Sequence, residues 1–307
     1  MKILNFGSLN IDHVYMVEHF VRPGETLNSK SFQQFCGGKG LNQSVALAHA
    51  GAAVYHAGVI GQDGLWLKRF LERHGAKTSL IEVIDEPSGH AIIQVNQEGE
   101  NSIILYGGAN KKITDAYIEK VLTQFTSGDY LLLQNEINAV PEIIARAASR
   151  GLKIAFNPAP MDRRVLDYPL NLVSCFILNE IEGGELTGEQ EAEMILASMR
   201  EQYPEATTIL TLGEQGVLLE NSREKIRVPA EKIVPVDTTA AGDTFIGYFI
   251  ASMMKGQDME YAIKTANKAA ALCATRPGAA DSIPNLDEVE NMEETIEREN
   301  NQIILIP

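Results

Sequence analysis

Cysteine is scarce in this chain. Cys36, Cys175 and Cys273 are the three among 307 residues, and none sits in a CxxC pair. That spacing excludes a disulfide framework and a thiolate metal cluster, so they read as buried small residues in a reducing compartment. Long apolar runs are missing as well. None approaches the ~20 residues of a membrane helix, and Met1–Ser8 has no apolar segment of signal-peptide length. A cytoplasmic location is the expectation. Basic residues are in deficit: 26 Lys and Arg face 41 Asp and Glu, a net charge of −15. A field of that sign disfavours nucleic acid and anionic membranes as partners. It also requires that any phosphate site be built locally, from helix N-termini, a divalent cation and a few placed basic groups.

Two nucleotide-binding spacings are absent. There is no GxxxxGK[ST] loop, and Gly7-Ser8-Leu9-Asn10 follows the first apolar run where a dinucleotide-binding oxidoreductase needs GxGxxG. Internal repeats and low-complexity segments are absent too.

What is present is an ordinary globular balance, 45% hydrophobic and 22% charged, in a chain long enough for one large α/β domain or a core with a smaller appendage. Apolar runs at Lys2–Gly7, Val54–Ile60, Tyr130–Gln134, Ile154–Asn157, Cys175–Leu178 and Thr208–Leu212 read as strands. Helical spacing at Asp115–Phe125, Ala139–Ser149 and Glu189–Met199 lies between them. Wholly apolar strands joined by helices imply a parallel sheet covered on both faces. Ile11–Phe35 and the hairpin His90–Tyr106 break this rhythm and read as a small antiparallel sheet, a cover over a cleft, a dimer surface, or both. The C-terminal third is helical, over Ala241–Lys255, Met259–Ala274 and an acidic Leu286–Arg298 segment. The apolar tail Ile303–Pro307 reads as an edge strand or a strip packed on the core.

The strongest motif is Val236–Phe245, which opens the first of those helices. Thr238 or Thr239 is expected to cap it. Gly242 costs ~1 kcal/mol there relative to Ala, and close approach of an anion to free backbone N–H groups explains its presence. Asp243 beside that anion hole is either a helix-dipole partner or a general base for a hydroxyl attacking a phosphoryl group. Gly37-Gly38-Lys39-Gly40-Leu41-Asn42-Gln43 suits a ligand lying against backbone, with Lys39 and Asn42 as donors. Asn10 and Asp12 alternate with apolar neighbours past the first strand, and amide plus carboxylate suits vicinal hydroxyls. Asn179 and Glu182 follow another buried strand, where they either start a helix or hold Mg²⁺ and its waters. Thr211-Leu212-Gly213-Glu214-Gln215-Gly216 is either a plain turn or a place for backbone to lie against a nucleotide. Glu136 and Asn157-Pro158-Ala159-Pro160 repeat the strand-end placement that a single cleft requires.

In combination and in order, the glycine-lysine stretch and Asp237–Phe245 resemble the two signatures of the PfkB carbohydrate kinase family, in its ribokinase branch. The likeness runs from Gly7-Ser8-x-Asn10-x-Asp12 to Gly278-Ala279. It implies an α/β, ribokinase-like three-layer fold with a mostly parallel central sheet flanked by helices, plus a small antiparallel β-sheet lid shared in a homodimer. Residues 1–10, 38–86 and 108–307 would form the core, and 11–37 and 87–107 the lid. The implied reaction moves the γ-phosphate of ATP to the terminal hydroxyl of ribose. Asn10, Asp12, Gly38, Lys39, Gly40, Asn42 and Glu136 would contact the sugar. Asp243 would be the base, and Ala240, Ala241 and Gly242 the anion hole. Asn179, Thr211, Leu212, Gly213, Glu214, Gln215, Gly216, Gly242, Asp243 and Asn267 would line the ATP side, with Glu182 near Mg²⁺. Asp237, Thr239, Cys273, Arg276, Gly278 and Ser282 match a monovalent-cation site, usually potassium; Ala280-Asp281 stands where that family often has Gln-Pro. Another sugar or a nucleoside is the competing substrate, with Tyr15, Phe20 or Tyr106 as a base platform. A non-catalytic sensor would have lost Asp243 or the glycine run, and this chain keeps both.

Overall fold

A computed structural model describes residues 1–296. The first strand, β1 (Ile3–Phe6), leads through Gly7–Leu9 into β2 (Asn10–Met16) and β3 (Ser31–Gly37), then α1 (Lys39–His49), β4 (Val54–Gly61), α2 (Leu65–Arg73) and β5 (Lys77–Ile84). A hairpin of β6 (Gly89–Val95) and β7 (Asn101–Tyr106) precedes α3 (Asp115–Leu122), β8 (Tyr130–Gln134), α4 (Val140–Ser149) and β9 (Lys153–Asn157). Then come β10 (Cys175–Asn179), α5 (Glu180–Thr187), α6 (Ala192–Gln202), β11 (Thr207–Thr211), β12 (Val217–Glu220) and β13 (Lys225–Val228). Helices α7 (Ala241–Met254), α8 (Met259–Ala274) and α9 (Leu286–Glu290) follow. The acidic helical segment is thus present as α9 at its start; its end and the apolar tail Ile303–Pro307 lie outside the described residues.

The strands form a nine-stranded sheet, ordered β13-β12-β11-β10-β9-β8-β1-β4-β5, and a four-stranded sheet, β3-β2-β6-β7. The large sheet is parallel except at β12 and β13, which pair antiparallel. In the small sheet the outer pairings are antiparallel and the central one, β2 with β6, is parallel.

Alternation along the buried strands sorts the core into two layers. Leu132, Ala155, Ile177 and Ile209 face α7 and α8 with Tyr248, Phe249 and Leu272. Leu131, Leu133, Phe156, Phe176 and Leu210 face the other side with Ile118, Ile144 and Met199. Each such side chain contributes about 1.5–3 kcal/mol by leaving water, which is why these runs are apolar on both faces. The small sheet has no such layer, and Ile103, Ile104, Leu105 and Tyr106 of β7 are exposed. Only Gly7–Leu9 separates β1 of one sheet from β2 of the other. Asn110 pins that joint: its Oδ1 accepts the Leu9 N–H at 3.1 Å, and its Nδ2 donates to Asn10 Oδ1 at 2.7 Å.

Candidate active site

The strand order runs away from β1 in one direction through β4 and β5, and away from β8 in the other through β9, β10 and β11. A crevice forms above such a reversal, at the carboxyl ends of the strands. Gly7 and Ser8 leave β1 there, and Asn135 and Glu136 leave β8. Ser8 Oγ donates to Glu136 Oε2, which also accepts the Lys39 N–H at 2.8 Å. The Glu136 carboxylate therefore occupies the N-terminus of α1, whose cap residue Gly38, at φ 92°, has no side chain to do so. Gly40 must lack a Cβ, because one would lie 2.3 Å from the Ser8 nitrogen.

The N-terminus of α7 is built differently. Its cap is Ala240, in the left-handed region at φ 61°, and not Thr238 or Thr239 as the local capping rule suggests. Both threonines are used upstream: Asp237 Oδ1 accepts the Thr239 N–H at 2.9 Å, and Thr238 O accepts the Ala241 N–H at 3.2 Å. The helix proper begins with Thr244 N–H bonding to Ala240 O at 2.8 Å. The N–H groups of Gly242 and Asp243 are thereby left without an acceptor among the described residues, and a Cβ on Gly242 would meet open space. Of the N-termini of α1 and α7, the first is filled by a carboxylate and the second is available to an anion.

Asp243 lies in that first turn, with Oδ2 accepting from Asn42 Nδ2 at 2.9 Å and Oδ1 from Gln43 Nε2 at 2.8 Å. Both donors sit on α1, which crosses α7 so closely that a Cβ on Gly247 would come within 2.4 Å of the Ala46 Cβ. Lys39, Asn179, Glu182, Thr211, Gly242 and Asp243 all line one cavity of about 200 Å³. The expected residues from four separate stretches thus share one space. Asn179 caps α5 in a reciprocal box with Glu182, so the helix-start reading of that motif holds while its carboxylate still faces the cavity.

Charge in the crevice is unbalanced. Asp243, Glu136 and Glu182 all act on Lys39, and Asp243 does most to raise the lysine's pKa. Burial pushes Glu136 and Glu182 up, partly opposed by that same lysine. Burial first, then the charge of Glu136, pushes Asp12 up to about 7. A polyphosphate entering here needs added positive charge. The hard oxygens of Glu182, with Asn179 beside it, suit Mg²⁺ carrying its own waters. Among the described residues no group of three or more His, Cys, Asp or Glu is arranged to hold a metal by side chains alone, so the phosphates and water would complete its shell.

The remaining predicted residues fall nearby or outside the cavity lining. Asn10 and Asp12 lie on one face of β2, and a Cβ on Gly37 would collide with the Asp12 carboxylate at 2.1 Å. Leu212, Gly213, Glu214, Gln215 and Gly216 form a tight turn between β11 and β12. Gly216, at φ 93°, has no room for a Cβ against Val228 O, so this glycine has a packing reason. Asn267 donates to Pro229 O at 3.1 Å. The cation candidates do converge. Asp237 Oδ2 accepts the Gly278 N–H at 3.0 Å, Cys273 Sγ lies 3.1 Å from Ser282 Oγ and 3.7 Å from Thr239 O, and Ser282 donates to Ala279 O at 2.7 Å. This knot of carbonyl and hydroxyl oxygens suits a monovalent cation. Arg276 instead turns its guanidinium to Glu288 at 2.7 Å. Ser8, Gln43 and Asn110 join the site without having been singled out. Ser8 and Gln43 stood inside the motifs already noted, whereas nothing local marks Asn110.

A carboxylate beside an uncapped helix N-terminus, in an acidic cleft with one lysine, suits phosphoryl transfer to a hydroxyl. Residues 1–286 match the pfkB family carbohydrate kinases, and the chain belongs to that family. It is 35% identical over 291 residues to a ribokinase of Haemophilus influenzae, covering 92% of this chain and 95% of that one. The crystal structure of a ribokinase from Cryptococcus neoformans in complex with ADP superposes with a TM-score of 0.84 at 36% identity, over 95% of this chain and 99% of that one. An Arabidopsis thaliana ribokinase complexed with ribose and ATP gives a TM-score of 0.84 at 28% identity, over 95% and 98%. No helix among the described residues is long and apolar enough to cross a membrane.

Proposed function

We propose that this protein transfers the γ-phosphoryl group of ATP to the terminal hydroxyl of ribose. The observation that carries the reading is the first turn of α7, where the Asp243 carboxylate and the free N–H groups of Gly242 and Asp243 stand together. Asp243, aimed by two amides, takes the hydroxyl proton as the sugar oxygen forms its bond to phosphorus and the bond to ADP breaks. The free amides hold the negative charge of the transferring group without having to reorganise. Lys39 contacts the sugar and places a positive charge among Asp243, Glu136 and Glu182. Asn10, Asp12, Asn42 and Glu136 hold the sugar, with Gly38 and Gly40 letting it approach the backbone. Mg²⁺ held near Glu182 would neutralise the phosphate oxygens, and potassium beside Asp237, Thr239 and Ser282 would fix the loop that shapes the anion hole. Thr211 and Asn179 bound the nucleotide side of the cavity, with the turn through Gly216 and the region of Asn267 beyond.

The small sheet is the lid. Tyr15 and Tyr106 lie on its face opposite Asp12, and Phe35 is the aromatic paired with Asp12 across the strands. A small polyol fits such surroundings better than a base-bearing nucleoside. The exposed apolar strand β7 favours a homodimer through the lid, and the free cysteines suit the cytoplasm.

The test is ADP production from Mg-ATP with ribose, deoxyribose, fructose, ketodeoxygluconate and nucleosides, with and without potassium, for wild type and Asp243→Asn. Ribose-dependent turnover, raised by potassium and reduced ~10²–10⁴-fold in the variant, is expected. Preference for another acceptor would overturn the substrate, and a variant with wild-type kcat would remove Asp243 from the role.

A further inference from the structure

Beneath Asp243 runs a chain of buried amides that the reaction does not touch. Gln43 Nε2 donates to Asp243 Oδ1 at 2.8 Å, and Gln134 Nε2 donates to Gln43 Oε1 at 2.6 Å and to Asn5 Oδ1 at 3.0 Å. Asn5 Nδ2 donates to Gly40 O at 2.7 Å and to Ser44 Oγ at 2.8 Å, and Ser44 Oγ lies 2.7 Å from His56 Nδ1. Asn5, Gln43, Ser44, His56 and Gln134 are all fully buried.

An amide can be turned end for end at little steric cost, so its direction must be fixed by something that cannot turn. A backbone carbonyl only accepts. Gly40 O therefore fixes which end of Asn5 is nitrogen, which turns Asn5 Oδ1 to Gln134, Gln134 Nε2 to Gln43, and Gln43 Nε2 to Asp243. A second carbonyl gives the same answer independently. Asn157 Nδ2 donates to Ile177 O at 3.0 Å, leaving its Oδ1 to accept from Gln43 Nε2 at 3.4 Å. The far end does not disturb this direction: burial pushes the His56 imidazole down to about 3 and keeps it neutral, and Ser44 Oγ accepts from Asn5 whichever role His56 Nδ1 takes.

The arrangement carries a cost at Gln134, whose Oε1 is buried without a partner. Turning Gln134 over would not relieve it, since Oε1 would then face the oxygens of Asn5 and Gln43. Gly7 is part of the same fit: a Cβ there would lie 2.4 Å from Gln134 Oε1. A buried acceptor left unsatisfied is rare enough to call for a reason, and the direction imposed on Gln43 is one.

We propose that Gln134 is a positioning residue for phosphoryl transfer. It lies outside the cavity lining, but by donating to Gln43 Oε1 it holds Gln43 with its donor, and not its acceptor, towards the Asp243 carboxylate. This rests on Asp243 being the base. The test is kcat, the KM for ribose and for ATP, ribose affinity by calorimetry, and Tm, for Gln134→Glu, Gln134→Met and Asp243→Asn. A carboxylate at position 134 only accepts, which favours Gln43 turned over with Oε1 towards Asp243; methionine leaves Gln43 directed by Asn157 and Asp243 alone. The expected result is a kcat loss of ~10-fold or more in Gln134→Glu and a smaller one in Gln134→Met, with both KM values and ribose affinity within about twofold of wild type. Equal losses in the two variants, or losses that follow Tm or KM, would reduce Gln134 to a packing role and overturn the inference. If Gln134→Glu is recovered insoluble, Gln43→Glu reads the same contact, and an unchanged kcat there overturns it equally. Activity surviving in Asp243→Asn would instead overturn the base assignment, a separate failure.

Discussion

Asn42 and Asp243 are 201 positions apart in the chain, yet the amide of one lies 2.9 Å from a carboxylate oxygen of the other. The crossing of α1 over α7 makes that contact, and it divides the carboxylate's two oxygens between two donors from a single helical turn. Asn42→Asp would replace one donor with a buried like charge. We expect kcat to fall ~10²-fold, together with a stability loss of about 1–3 kcal/mol from the buried oxygens left unpaired. Steady-state kinetics and thermal melts check both; a variant with unchanged kcat would show that Asp243 needs no help from Asn42.

Gly242 offers a test in which stability and activity move in opposite directions. A methyl group there meets no protein atom, so Gly242→Ala should gain up to about 1 kcal/mol of helix stability. The same methyl is added at a residue that lines the cavity and carries one of the free amides. Tm should rise while kcat falls ~10-fold or more. If kcat is unchanged, the anion does not approach at this turn.

Asp12 gives a pH dependence whose sign follows from its surroundings. Burial and Glu136 raise its pKa from the ordinary 3.8 to about 7. Between those values the folded protein keeps the proton and the unfolded chain has lost it, so the Asp12 contribution weakens as pH rises from about 4 to about 7. Asp12→Asn should flatten that part of the stability curve. Denaturant midpoints at pH 5 and pH 8 measure it: the difference between wild type and variant should grow in the variant's favour at the higher pH. A constant difference would mean that Asp12 titrates as in the unfolded chain.

The lid edge predicts self-association. Ile103, Ile104, Leu105 and Tyr106 expose half or more of their surface along β7, the last strand of the small sheet. Exposed apolar edges of this kind are normally covered. Wild-type protein should run as a dimer in light scattering, and Leu105→Glu should shift it towards monomer. A wild-type monomer would leave the strip without the proposed partner.

Much of the fold was legible because single segments carry it. Tyr130–Gln134 is five consecutive residues suited to a buried strand, and Met259–Ala274 follows the capping residue Asp258; both match the sequence reading to the residue. The strands β5, β12 and β13 and the helix α2 gave no such signal. They are short or mixed in polarity, and the strands lie towards the sheet's two margins. The site divides in the same way. Glycine-rich turns and Asp243 announce themselves locally, but Glu136 on the N-terminus of α1 and Gln134 against Gln43 exist only once the β1–β8 reversal has formed. Ala240 in a left-handed cap is concealed for another reason, since alanine rarely takes that conformation and two threonines beside it satisfy the usual capping rule.

The joint at Gly7–Leu9 has a mechanical consequence. Asn10 and Asp12 belong to the covering sheet, not to the base beneath it, and Asn110 clamps the strand just where it crosses from one to the other. Any rotation of the cover about this joint carries both side chains through the same arc. Grip and closure would then be one coordinate: a sugar held by Asp12, as proposed above, would draw the small sheet towards the large one.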